Sequence, residues 1–138
     1  MDDDDHYLPG AFRAIAEELG RQQDIDVLAY GFHWKGVGTT YQSSVRLYPA
    51  VWNKAWRRSF IGEDRFPNWT HSVDLGFARL MHPKARFGYL AKELYYYNFM
   101  REGSVSDRIK KGEYDNRKLP EEVRNAADRY EVWLKQRF

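Results

Sequence analysis

Apolar residues at Phe12, Ile15, Ala16 and Leu19 fall at i, i+3, i+4 and i+7 between Pro9-Gly10 and Gly20, a spacing that predicts an amphipathic helix with a glycine stop. The period then changes. Residues 25–34 (IDVLAYGFHW) place Leu28, Tyr30, Phe32 and Trp34 on one face of a strand, a surface that can receive the first helix. A second strand is expected over 40–48 (TYQSSVRLY), joined to the first through Lys35-Gly36-Val37-Gly38 as an antiparallel hairpin. After Pro49, Val51, Trp52, Ala55, Trp56 and Phe60 return to helical spacing as far as Gly62, which predicts a helix with both tryptophans on one stripe. Residues 62–70 are turn-rich. Val73, Phe77, Leu80 and Met81 fit a short helix, and the alternation of Ser72-Val73-Asp74-Leu75 fits a strand as well. His82-Pro83 breaks the pattern. Phe87, Leu90, Ala91, Leu94 and Asn98 then predict a further helix, and Pro120-Glu121-Glu122 opens a last one with Val123, Ala127, Tyr130, Trp133 and Leu134 as its stripe. The fold class these elements imply is α+β: a small antiparallel β-sheet, its hairpin at about 25–48, packed by four or five helices in one globular domain over 9–138, after a flexible acidic tail at 1–8.

Composition supports one folded domain. In 138 residues, 43% are hydrophobic and 17% aromatic, which excludes disorder throughout. No run approaches the ~18 consecutive apolar residues of a membrane span, and no secretory leader is evident, so a soluble cytoplasmic protein without a membrane partner is expected, in the host cytoplasm for a viral product. With no cysteine, disulfides and thiolate metal sites are impossible. The 22 Lys and Arg face 20 Asp and Glu, a net charge of +2. Four of those acids are Asp2 to Asp5, so the rest of the chain sets 22 cations against 16 acids and is moderately basic. Such a balance suits an acidic partner such as nucleic acid.

Local motifs for catalysis are lacking. His6, His33, His71 and His82 are scattered without ligand spacing, so neither a metal nor another cofactor is called for. Adjacent acids such as Glu17/Glu18, Glu63/Asp64 and Glu121/Glu122 point apart on helices or turns, and Gly36-Val37-Gly38 joins two strands instead of opening a phosphate-binding helix. These absences lean away from an enzyme. Basic residues interleave with aromatics around Arg57 and Arg58 and again over 84–118, and that pairing is what phosphate neutralisation and base stacking require. The candidate nucleic-acid contacts are Arg57, Arg58, Arg101, Ser104, Ser106, Arg108, Lys110, Lys111 and Tyr114.

Two local resemblances extend this reading. Gly103-Ser104-Val105-Ser106-Asp107-Arg108-Ile109-Lys110-Lys111-Gly112-Glu113-Tyr114, within residues 88–114, resembles the recognition helix of helix-turn-helix repressors and transposition regulators. The resemblance implies that Ser104, Ser106, Asp107 and Arg108 face a DNA groove, with Lys110 and Lys111 on phosphates. Residues 12–64, with Glu18-Leu19-Gly20, Tyr30-Gly31-Phe32 and Tyr48-Pro49-Ala50-Val51-Trp52, are similar to the first half of LuxR-type autoinducer-binding domains. That likeness implies an acyl-homoserine-lactone pocket at Tyr48, Trp52 and Asp64, with Trp56 beside them. The leading expectation is a non-enzymatic nucleic-acid-binding or regulatory protein of the phage or plasmid kind. The alternatives are a protein-interaction module or host-factor inhibitor with an aromatic and arginine-rich face, and a small-molecule sensing domain.

Overall fold

Val27–Trp34 (β2) is the strand with which most of the others pair, and it is buried from Val27 to Phe32. The structure, a computed structural model, describes residues 4–35, 38–40, 48–69, 73–98, 101–104, 107–108, 111–113 and 121–137. Along one edge β2 pairs in parallel with Phe87–Tyr97 (β5), from Val27↔Phe87 to Trp34↔Tyr97. Its other edge is shared by two short antiparallel strands: Gly38–Thr40 (β3) against Phe32–Trp34, and Lys54–Trp56 (β4) against Val27–Ala29. His6–Tyr7 (β1) adds antiparallel to the far edge of β5. The result is a five-stranded mixed sheet. A strand closed on both edges and both faces needs the near-continuous apolar run that VLAYGF supplies.

On the Leu28, Tyr30 and Phe32 side the sheet packs against Ala11–Arg21 (α1) through Ala11 and Ile15, the contact that the sequence periodicity predicts. On the Val27 side lie Val73–Met81 (α3), with Phe77, Ala78 and Met81 buried, and a 3-10 turn at His82–Lys84. Trp56 joins them to the sheet, its ring 5.3 Å from Phe77 and 5.8 Å from His82. A one-turn helix, Arg58–Ile61 (α2), follows β4, and Glu121–Arg137 (α4) packs on α3. A clasp fixes the start of the parallel pair: both carboxylate oxygens of Asp26 accept from the Arg86 guanidinium at 2.9 Å, and the Arg86 backbone N–H donates to the same carboxylate. These bonds hold the Asp26 carboxyl down at about 2.

The architecture corrects the expected fold class. The sheet is mixed around a parallel central pair instead of an antiparallel hairpin packed by four or five helices. The antiparallel pairing within 25–48 exists where β2 meets β3, whereas residues 36–37 and 41–47 of the expected hairpin lie outside the described residues. Residues 87–97, expected as a helix, form the strand β5. The reason is that the pairing shifts twice: Tyr30 faces Leu90 and Gly31 faces Glu93, passing over Ala91 and Lys92, and Phe32 faces Tyr95, passing over Leu94. A bulge resets the alternation of faces, and the resulting spacing of Leu90, Leu94 and Tyr95 imitates a helical stripe. The helix expected after Pro49 is replaced by turns, β4 and α2, because Ala55 is drawn into register opposite Leu28 and the ladder to β2 takes the backbone groups a helix would use. Residues 73–81 take the helical of the two options. The stretch read as a tail supplies β1 and the buried Asp5.

Candidate functional site

In sheets with parallel strands, ligands bind outside the carboxyl ends, where successive connections diverge. Here those ends are Trp34 on β2 and Tyr97 on β5, linked by the Lys35 N–H donating to the Tyr97 carbonyl at 3.0 Å. Because β1 runs antiparallel along β5, the acidic residues preceding it arrive at this same end. Asp5, 6% exposed, accepts at 2.8 Å from the Tyr95 hydroxyl with one oxygen and at 2.8 Å from the Asn98 N–H with the other. Asp4 accepts from Asn98 Nδ2 at 3.3 Å and from Arg101 Nε at 2.9 Å. The chain leaving β5 is thus bound to the acidic run.

Beside these carboxylates lies a group of aromatic rings. Trp52 stacks on Tyr95 at 4.9 Å, meets Tyr97 at 4.6 Å, and stands edge-on to Phe32 at 4.7 Å. Tyr48 lies 6.1 Å from Trp52 and 6.2 Å from Trp34, and its 36% exposure makes it the outer member. Burial and the nearby Asp74 carboxylate push the Tyr48 hydroxyl above its ordinary range. On the other side of the sheet His6, Tyr96 and His33 stack in a row across β1, β5 and β2, with centroids 4.8 and 5.4 Å apart.

The segment bearing Tyr48 and Trp52 has no regular structure, and side chains hold its carbonyls. Lys54, 4% exposed, directs its ammonium to the carbonyls of Tyr48 (2.6 Å) and Ala50 (2.7 Å) and to Asn53 Oδ1 (2.8 Å). The Tyr30 hydroxyl donates to the Trp52 carbonyl at 2.8 Å and therefore accepts from Tyr7. The Val51 N–H donates to Asp74 in the first turn of α3. Burial pulls Lys54 down to about 7, partly opposed by the Asp74 charge, and burial together with Lys54 keeps His82 neutral, at about 3. Lys54 thus binds fewer protons in the folded than in the unfolded chain between pH 7 and about 10, so stability rises with pH across that window. Urea midpoints measured at pH 7, 8.5 and 10 should increase in that order for the native chain, and the increment should shrink in Lys54→Met.

Among the described residues, several of those singled out from the sequence are engaged within the chain. Arg57 donates to the carbonyls of Ile25 (3.0 Å) and Gln23 (2.7 Å), bracing the entry to β2, while Arg58 begins α2 and is exposed. Arg101 is paired with Asp4 and Lys111 with Asp107. Ser104 Oγ accepts from the Asp107 N–H, and Arg108 is exposed one residue on. Ser106, Lys110 and Tyr114 lie outside the described residues. The first helix of a helix-turn-helix is not formed, since 87–97 is strand. Tyr48 and Trp52 do come together, but Trp56 sits with Phe77 and His82, and Asp64 pairs with Lys84 at 3.7 Å, so the four do not share a pocket. A cavity of about 170 Å³ lined by Leu19, Ile25, Asp26, Ala55, Trp56 and Arg57 lies at the opposite end of β2 and is smaller than most ligand sites. Sequence reasoning missed Asp4, Asp5, Lys54, Asp74 and Asn98. A lone lysine inside the aromatic-rich stretch VWNKAW was the available signal for Lys54.

Among the described residues no group of three or more His, Asp or Glu is placed to hold a metal ion, and no helix is long and apolar enough to cross a membrane. No family model matches the chain, and no curated protein matches it in sequence. The fold is similar to that of TarS from S. aureus, a glycosyltransferase whose residues 1–349 were crystallised in complex with UDP-GlcNAc. The TM-score is 0.64 at 19% identity, over 78% of this chain and 35% of that one. The chain therefore spans about a third of the length of the structure it matches. The likeness is one of fold: a mixed sheet, whose parallel ends in this chain carry carboxylates and aromatic rings. The expectation of a non-enzymatic nucleic-acid-binding protein, with its interaction-module and lactone-sensing alternatives, gives way to this likeness.

Proposed function

We propose that the chain is the sugar-nucleotide-binding part of a glycosyltransferase. One observation carries the reading: the carboxyl ends of β2 and β5, in a fold like that of the TarS complex with UDP-GlcNAc, bring Asp4 and Asp5 beside the Trp34, Tyr48, Trp52 and Tyr97 rings. Aromatic rings pack on a base or on the apolar face of a sugar, and polar groups at the rim orient hydroxyls and phosphates. Transfer of a sugar to an acceptor hydroxyl also needs a base to take the hydroxyl proton. Asp74, half-buried beside Tyr48 and accepting from the Val51 N–H, is the carboxylate assigned to this step.

Isothermal titration of the chain in a magnesium-containing buffer with UDP-GlcNAc, UDP and an ADP-sugar tests the proposal. Saturable binding of at least one nucleotide sugar, tighter than the free sugar, is expected. Asp74→Asn should retain that binding and lose at least ~100-fold in transfer rate to an acceptor. No binding of any nucleotide sugar by a folded chain would sink the reading. Equal loss of binding and transfer in Asp74→Asn would remove the base assignment.

A further inference from the structure

We infer that Lys54 is a positioning residue for this site: its buried ammonium sets the conformation of residues 48–53 and thereby presents Tyr48 and Trp52 to the ligand. The inference rests on the reading of that rim as a sugar-nucleotide site.

The argument starts from the backbone. Residues 48–53 belong to neither helix nor strand, and buried carbonyls outside such elements need other donors. The carbonyls of Tyr48 and Ala50, two residues apart, both point at Lys54 Nζ, and the Asn53 side chain supplies a third oxygen. The protonated form of Lys54, which prevails below about pH 7, offers three N–H groups to three acceptors at 2.6–2.8 Å, so one side chain gathers the segment around itself. Further ties come from the backbone and from other elements: Tyr30 on β2 holds the Trp52 carbonyl through its hydroxyl and the Asn53 carbonyl through its N–H, Asp74 on α3 holds the Val51 N–H, and the Val51 carbonyl accepts from the Lys54 N–H and Trp56 Nε1. Lys54 is itself fixed by its place in β4, where it pairs with Ala29. The rigid sheet thus determines where the irregular segment lies, and the segment determines where two of the four rim rings lie.

The charged and titratable groups facing Lys54 are Asp74 from α3, His82 from the 3-10 turn, and Tyr48 from the segment itself. Asp74 is the anion among these and His82 is neutral, so the ammonium is balanced by one carboxylate and three oxygen dipoles.

Lys54→Met keeps the length and burial of the side chain and removes its donors. The expected result is amide hydrogen exchange about tenfold or more faster in 48–53, protection unchanged in β2 and β5, and UDP-GlcNAc affinity about tenfold weaker. Because the chain has no cysteine, Lys54→Cys can be alkylated with bromoethylamine while unfolded and then refolded, which restores an ammonium at nearly the same reach and should restore both properties. Should Lys54→Met fail to fold, Asn53→Ala removes one acceptor while leaving the charge, and it should loosen 48–53 alone. Unchanged exchange in 48–53 in the folded variants would overturn the inference, as would loosening of the segment with undiminished affinity. The exchange measurement needs no ligand. If the native chain binds no nucleotide sugar, the function reading fails while the hold of Lys54 on the segment is still tested.

Discussion

Asp5→Ala should lower stability by about 2 to 5 kcal/mol and abolish the proposed nucleotide-sugar binding, because it removes the carboxylate that accepts from two groups that cannot turn to water easily: the Tyr95 hydroxyl, on a fully buried residue, and the Asn98 N–H. Tyr95 is also the ring on which Trp52 stacks, so its displacement disturbs the aromatic rim as well as the edge strand. Asp5 further fixes the two-residue strand β1, whose register against Tyr95 and Tyr96 is too short to persist by itself. Asp5→Asn keeps an acceptor for Asn98 and an amide that can donate to the tyrosine oxygen, so it should cost much less. Urea unfolding of both variants, with titration of UDP-GlcNAc in each, separates the two effects. A stability loss below 1 kcal/mol for the alanine variant would show that β1 docks without this carboxylate.

Leu28→Ala is the second large effect, expected in the upper part of the range of about 2 to 5 kcal/mol for such truncations. The reason lies in its neighbours. Leu28 stands in register with Ala55 on β4 and Gly88 on β5, so one branched side chain fills the width of three strands. Gly88 cannot be enlarged to compensate, since a Cβ there would meet Ile25 Cδ1 at 2.5 Å and the Gln22 side chain. Alanine at 28 would put three small residues side by side on a sheet whose spacing is fixed by backbone hydrogen bonds, and the void could close only by bending the strands. Denaturant unfolding should show a lower midpoint with an unchanged slope. A cost near 1 kcal/mol would mean that α1 collapses into the space.

What the sequence revealed follows from where its period is unbroken. Phe12 to Leu19 and Leu28 to Trp34 each keep one period for their whole length, and both α1 and the face of β2 that receives it were readable. β5 was not, because its two register shifts, at Ala91-Lys92 and at Leu94, convert short alternations into one apparent helical stripe. The segment after Pro49 was misread for a different reason: its tryptophans are four apart, yet Trp52 belongs to the carboxyl end of the sheet and Trp56 to the packing with α3. Of the site, the pairing of Tyr48 with Trp52 was legible. The basic residues misled, since local charge density says nothing of partners: Arg57 serves carbonyls of the preceding turn, and Arg101 serves Asp4. Asp5 was invisible for the converse reason, because a run of acids at a chain end looks solvated until a strand beside it brings a tyrosine into reach.

The pairing of Val27 with Phe87 joins two strands separated by 60 positions, and this orders the events of folding. Everything between must be synthesised, and a loop of that length closed, before the central pair can form. β3 and β4 reach β2 sooner, so the growing chain first holds a partial sheet whose remaining edge is apolar, extended and unpaired. That edge can accept any passing strand, including the same edge on another nascent chain, until β5 arrives. Chains that stop before β5 is complete keep this open edge permanently, and truncation ahead of residue 97 is therefore the kind this fold tolerates least.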